Sequence, residues 1–346
     1  MPTAFHAILG TALFLLGILI AQDPSLALDG EPNTPVPYWL AALDVFETGE
    51  SLPSRTSGLT GCNLPEDWRM AIVWGRTLVC VADETLTRSL KSKSIPNSTA
   101  SATFIDEEPD WPPDSAFAAI AARRPPVTRR MSLSMASAND LMVLAMDQFS
   151  RGIFHMPHSI HTSSPSSAGP SAPPLSNLFS RPKELFTIAT EVLLVAEKME
   201  VPSERQYWAS WADSVFNQMK MEADSDTWRG SITAARGRCW LIVGSAKVEA
   251  LEAAIEAGDV SALDSEDAQE AREGLMKAVD FLERATGSAT STSSQTQVEE
   301  LKKLLVEALL TLANLTGDEM RREELYVRAQ KEGGGDVFLD DRMDES

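Results

Sequence analysis

Three of the four histidines stand in one run, His155-x-x-His158-x-x-His161, and imidazoles three residues apart on a helix would share a face where a metal could sit. Pro157 interrupts that geometry, and no cysteine lies beside the run to complete a ligand set. The run is therefore read as a loop leaving a helix. Paired acids offer a second chemistry. Glu252 and Glu256, followed by Asp259, would serve as general acid and base if a pocket closed over them. On a solvated helical face the same carboxylates would either meet a basic patch on a partner or keep a long helical chain soluble, and the sequence leaves both open.

Positive charge is concentrated once, between Arg123 and Arg130. Arg123, Arg124, Arg129 and Arg130 could direct nuclear import, dock an acidic partner, set a phosphorylation context for Ser132, or simply solvate a loop. The cysteines Cys62, Cys80 and Cys239 are odd in number and widely separated, a pattern that fits buried thiols in a reducing compartment better than a disulfide framework. The sequence has no G-x-S-x-G, no phosphate-cradling glycine loop and no H-E-x-x-H. The expectation is a non-enzyme without metal or cofactor.

Net charge constrains partners. The 346 residues carry a formal charge of −20, and residues 181–346 hold 33 acids against 19 bases. Such a surface repels phosphate backbones, so direct nucleic-acid binding is disfavoured.

The elements that would position these groups read as helices throughout. Residues 232–333 predict two helical hairpins in tandem. Trp240, Val243 and Gly244 have the spacing that opens a tetratricopeptide repeat, and Ala271, Leu275 and Ala278 have the four-then-three spacing of such a repeat's second helix. Small residues at the ends of that face let a neighbouring helix approach closely. Ala212, Phe216 and Met219 repeat the spacing, in a hairpin predicted over 182–199 and 202–221, and Gly258 to Asp267 reads as an acidic connection. A hairpin of this kind cannot bury its stripe alone, so stacking into a solenoid is expected.

Earlier in the chain, Ala4 to Ile20 is nearly all apolar. It predicts either a repeat's second helix with Ala12, Leu16 and Leu19 inward, the chain then starting mid-repeat, or the hydrophobic region of a signal or anchor. A stiff linker is predicted over 32–37, and helices over 38–48, 66–86, 115–124 and 138–154. The helix over 138–154 buries Leu141, Leu144, Ala145, Phe149 and Phe154. Inserts too polar to order themselves are expected near 87–113 and over 162–176. The organisation predicted is N-terminal helical repeats to 154, a flexible linker over 155–181, C-terminal repeats over 182–333 and an acidic tail over 334–346.

The segments PVPYWLAALDVFETGE, PEDWRMAIVWGRTLVC, RGRCWLIVGSAKVEALEAAIEAGD, SEDAQEAREGLMKAVDFLERA and REELYVRAQKEGG resemble the fungal enhancer of translation termination family. That family also includes the nuclear negative regulator of a prolyl-hydroxylase-like oxygenase. The resemblance implies an all-α, repeat-like nuclear protein acting through protein partners, in translation termination and in oxygen-dependent gene expression. The partners it implies are termination factors or a 2-oxoglutarate-dependent oxygenase. None of these segments is a motif with chemistry, so no binding residue carries over individually. The alternative is a secreted or membrane-tethered helical protein, for which Ala4 to Ile20 and the sequons at Asn97 and Asn314 would be the evidence.

Overall fold

The computed structural model describes residues 3–52, 67–94, 111–123, 133, 136–158, 179–222, 225–288 and 295–333. All regular structure among these residues is helical. The chain divides into two compact units, Met1–Pro157 and His158–Ser346.

The first unit holds α1 (Ala4–Gln22), α2 (Val36–Glu50), α3 (Trp68–Ser94), α4 (Ala116–Arg123) and α5 (Ala138–His155), and α2, packed by α1, α3 and α4, is buried on nearly every side. α1 lies on α2 through glycine notches. A Cβ at residue 10 would lie 2.2 Å from the Phe46 ring, and one at residue 17 would lie 2.5 Å from Trp39. The glycines are seven apart, two helical turns, so both notches open on one face. α3 packs on α5, which starts with a capping box: the Ser137 and Asp140 side chains each accept from the other's backbone N–H, at 3.1 and 2.9 Å.

The second unit holds α6 (Arg181–Lys198), α7 (Pro202–Gln218), α8 (Ser225–Ser245), the short α9 (Val248–Glu256), α10 (Glu266–Ser288), α11 (Gln295–Asn314) and α12 (Glu319–Glu332). Proline at the first or second position starts α6 and α7, where its missing N–H costs nothing. Asp318 caps α12 by accepting from Met320 N–H at 3.0 Å. The long helices pack in chain order, α6 on α7, α7 on α8, α8 on α10, α10 on α11 and α11 on α12, and α8 also touches α6 and α11. The tightest of these crossings is between α8 and α10. The Cα of Gly244 lies where a Cβ on Gly274 would be only 2.9 Å away, and a Cβ on residue 244 would stand 2.7 Å from the Leu275 nitrogen. Around this crossing Leu275, Ala278, Leu282, Ala308 and Leu309 are fully buried, each leucine contributing on the order of 1.5–3 kcal/mol.

Two buried ion pairs tie the first helices of this unit together. Arg236 on α8 donates Nε and Nη2 to the Asp213 carboxylate on α7, at 2.6 and 3.1 Å, donates Nη1 to Asn217 at 3.1 Å, and lies 4.5 Å from the Phe281 ring centre on α10. Arg181 at the start of α6 donates to Glu222, just beyond α7, at 2.8 Å. Breaking either pair would leave an uncompensated buried charge, a loss of roughly 3–5 kcal/mol.

Several sequence expectations are corrected. Ala12 and Leu19 do not face inward; the buried side of α1 is Ala7, Gly10, Leu13, Phe14, Gly17 and Ile20, because the face is set by the aromatic rings that enter the glycine notches. The helix expected to stop at Leu86 runs on to Ser94. Its polar residues bond within the helix: Thr85 and Thr87 donate to carbonyls four residues back, at 2.8 and 2.9 Å, and Arg88 pairs with Glu84. Leu144 and Phe154 are exposed, since α3 covers only the face centred on Ala145, Phe149 and Gly152. The supposed linker over 32–37 ends early, with Pro37 accommodated in the first turn of α2. The acidic connection after Gly258 holds a 3₁₀ turn over Val260–Asp264, and α10 begins at Glu266. The remainder of the 87–113 insert lies mostly outside the described residues, as do all of 162–176 and the tail from 334.

Glycine-to-alanine changes in α8 separate packing from helix propensity. Alanine favours a helix by about 1 kcal/mol over glycine. Gly230 has open space around it, so Gly230→Ala should raise the melting temperature, whereas Gly244→Ala should lower it because the methyl meets the α10 backbone. Thermal melts of the two variants against the parent chain check this, and a stabilised Gly244→Ala would mean that the crossing is not tight.

Candidate functional site

α6, α8 and α11 each turn one face toward a common groove of about 760 Å³, a volume within the range of ligand and peptide sites. The groove exists because its floor is made of small residues. α8 presents Gly230, Ser231, Ala234 and Ala235, and the flanking helices raise walls of larger side chains, Phe186 and Leu193 from α6 and Val298, Leu301 and Leu304 from α11. With Thr190 between them, the α6 residues follow at four- and three-residue spacing, and those of α11 at three, intervals that keep neighbours on one helical face. Phe186 is fixed by neighbouring rings, with Phe216 and Trp228 at centroid distances of 5.4 and 5.2 Å.

The groove is polar at defined places. Thr190 brings to its wall a hydroxyl that is shielded from solvent and has no hydrogen-bond partner among the described residues. Arg238, on the α8 side, holds the Glu197 carboxylate of α6 in a two-point pair, with Nη2 to Oε2 at 2.7 Å. Glu307 follows Leu304 by three residues on α11, and its carboxyl is pushed above the ordinary glutamate value, first by desolvation among the helices and then by the negative charge of Glu197. Arg229 and Glu300 also line the groove.

The residues singled out in the sequence fall elsewhere. Glu252 accepts from Asn314 Nδ2 at 3.3 Å, Glu256 is exposed at the end of α9, and Asp259 caps the following turn by accepting from Ser261 N–H at 3.1 Å. Asp267 and Glu270 both pair with Lys247. Glu252, Asp259, Asp267 and Glu270 are thus partly spent on local structure, and neither they nor Glu256 line the groove. Arg123 ends α4 exposed, whereas Arg124, Arg129, Arg130 and Ser132 lie outside the described residues. His155 is exposed at the end of α5, His158 lies 3.3 Å from Glu222, and His161 is outside the described residues. No group of three potential ligands fit to hold a metal occurs among the described residues. Cys239 is fully buried, which pushes its thiol well above the ordinary value, Cys80 is half-buried, and Cys62 lies outside the described residues.

Sequence reasoning missed the groove. Its signal was present as the small-residue run on α8, but glycine, serine and alanine carry no chemistry of their own, and the walls come from helices distant in the chain.

The Glu307 shift has a definite sign. A carboxyl whose folded-state value is raised binds its proton more tightly when folded, so its contribution to stability falls as pH rises from the unfolded value toward the folded one. Glu307→Gln should flatten the pH dependence of stability above about pH 4.5. By carboxyl NMR, the Glu307 midpoint should drop in Glu197→Gln, where Arg238 is released and one negative neighbour is gone. A midpoint unmoved by that change would separate the two carboxylates.

No family model, curated protein or solved structure matches this chain.

Proposed function

We propose that this chain is a non-enzymatic adaptor that holds other proteins on stacked helical hairpins. In this reading α6–α7, α8–α10 and α11–α12 are three tetratricopeptide-like hairpins of a short solenoid, and α6, α8 and α11 are the first helices that line its inner surface. The observation that carries it is the groove itself, open to solvent, floored by small residues and walled by apolar ones. The resemblance of the sequence to the enhancer of translation termination family supplies the biological setting: a nuclear protein, shared with the cytoplasm, acting in translation termination and in oxygen-dependent gene expression. Its partners in that setting are termination factors or a 2-oxoglutarate-dependent prolyl-hydroxylase-like oxygenase.

Filling the groove tests the reading. Ser231 is exposed on its floor, so Ser231→Trp adds bulk with little demand on the core. Native protein purified with what it carries should bring down termination factors or an oxygenase, and Ser231→Trp with an unchanged melt should lose them at least tenfold. Full retention would move the binding surface away from the groove.

The acids of α9 and of the turn after it form a separate, electrostatic part of the proposal. Exposed charges at the edge of a contact mainly steer encounter. Converting Glu252, Glu256 and Asp259 to Lys should slow association with the purified partner at low salt, the difference shrinking as the Debye length falls below about 8 Å above physiological ionic strength. An on-rate equal to the parent at every salt concentration would leave these acids with solubility alone.

One observation favours a second reading. α1 is long and apolar enough to cross a membrane, and Phe5, Ile8, Leu15 and Leu19 are exposed along it. A secreted or membrane-tethered protein would use this helix as a signal or anchor, and recovery of the native protein with secretory-pathway components, or a mobility sensitive to endoglycosidase, would establish it.

A further inference from the structure

One face of α1 has no cover among the described residues. The helix lies on α2 and α3 by its other sides, while Phe5, Ile8, Ala12, Leu15 and Leu19 stay exposed, the four large ones at 48–72%. They follow one another at three, four, three and four residues, the spacing of a seam along which two helices pack at about 20°. Thr11, beside the stripe, donates its hydroxyl to the Ala7 carbonyl at 2.6 Å and so brings no unpaired donor to it. With about 200 Å² per fully exposed large apolar side chain, the four expose roughly 500 Å² on one copy and about 1,000 Å² on two, the least that a specific interface needs. Ala12 and the half-buried Leu9 and Leu16 add to that.

We propose that this face is the interface of a two-fold symmetric dimer of this chain, in which two α1 helices pack antiparallel and cross at Ala12. An isologous contact requires a self-complementary surface, and the stripe is one. Turned end over end about Ala12, it maps onto itself: Phe5 meets Leu19 of the second copy, Ile8 meets Leu15 and Leu16, and alanine meets alanine where the helices come closest. Charge favours the same occupant. α1 has no Asp, Glu, Lys or Arg, and the acids Asp23, Asp29 and Glu31 follow it, with no Lys or Arg before Arg55. A lipid surface holds an amphipathic helix partly through flanking bases, and here there are none. The opposite face of α1, moreover, already receives the Phe46 and Trp39 rings in its glycine notches. A second copy brings no like charge to the stripe. In the antiparallel arrangement its Asp23 comes to the N-terminal end of α1, where free backbone N–H groups attract an anion, whereas a parallel pair would set the two Asp23 carboxylates side by side.

Analytical ultracentrifugation of the full chain over a concentration series should show monomer converting to dimer in the micromolar range. Ile8→Glu and Ala12→Glu place a charge on exposed positions outside the core, and each should weaken the dimer by about tenfold or more while the melt of the dilute monomer stays in place. Copper-catalysed air oxidation should join Ala12→Cys chains into covalent dimers that the parent chain does not form, because the two-fold axis passes there. It should not join Phe5→Cys chains, whose thiols lie on the order of 20 Å apart across the crossing. A parent chain that stays monomeric throughout, a dimer indifferent to both charges, or Phe5→Cys joined as readily as Ala12→Cys would overturn the inference. A monomeric parent that sediments with phosphatidylcholine vesicles, and Ile8→Glu that does not, would give the face to a membrane instead.

Discussion

Two residues without side chains set the geometry of the second unit. Where Gly244 meets Gly274, α8 and α10 approach until backbone touches backbone, and neither position has room for a methyl group. Helices usually cross 8–10 Å apart at a distance fixed by the side chains between them, so a crossing without side chains is the closest available and fixes the pair rigidly. Leu275 and Leu282 then have one place to go, into the faces beside Gly244 and Gly237. α8 becomes the helix against which α6, α7, α10 and α11 are all positioned.

That central position explains the groove. A helix packed on its far side by α7 and α10 presents to the near side whatever residues remain, and on α8 these are small. α6 and α11 stand to either side with longer side chains, and a channel results. The buried pair Arg236–Asp213 works on the far side of the same helix, where it fixes α8 to α7, and the adjacent Phe281 extends the contact to α10. A paired buried charge adds less stability than an apolar contact of the same size, but it is strict about register, since a shift of one residue would leave an arginine unpaired in the core. The placing of α8, the groove's floor, thus depends on contacts made by its other faces.

Much of this helical architecture was legible in the sequence. Ala271, Leu275 and Ala278, expected to form a helical seam, are buried, and so are Ala212, Phe216 and Met219. Periodicity succeeds there because apolar and polar residues alternate clearly around each helix. It fails on α1, where every position but a few is apolar and the inward face is marked by Gly10 and Gly17, residues that a count of large apolar side chains ignores. It fails again at Thr87, because a run of Thr, Ser and Lys looks like a loop until its hydroxyls are seen bonding inside the helix. The candidate site was the least legible part. Charge drew attention to the acids of α9, yet a concave surface is made by differences in side-chain size between helices that the sequence keeps more than a hundred residues apart at their extremes.

The central claim is that partners are held in the channel between α6 and α11. Methyl NMR of the full chain, with isotope-labelled leucine, isoleucine and valine, tests it in one titration with a partner that the native protein carries. The account predicts that the methyl signals of Val298, Leu301 and Leu304 shift or broaden first, while those of Leu309, outside the groove lining and fully buried in the core, stay in place. Shifts confined to Ile8, Leu15 and Leu19 of α1, with the three groove residues unmoved, would contradict it.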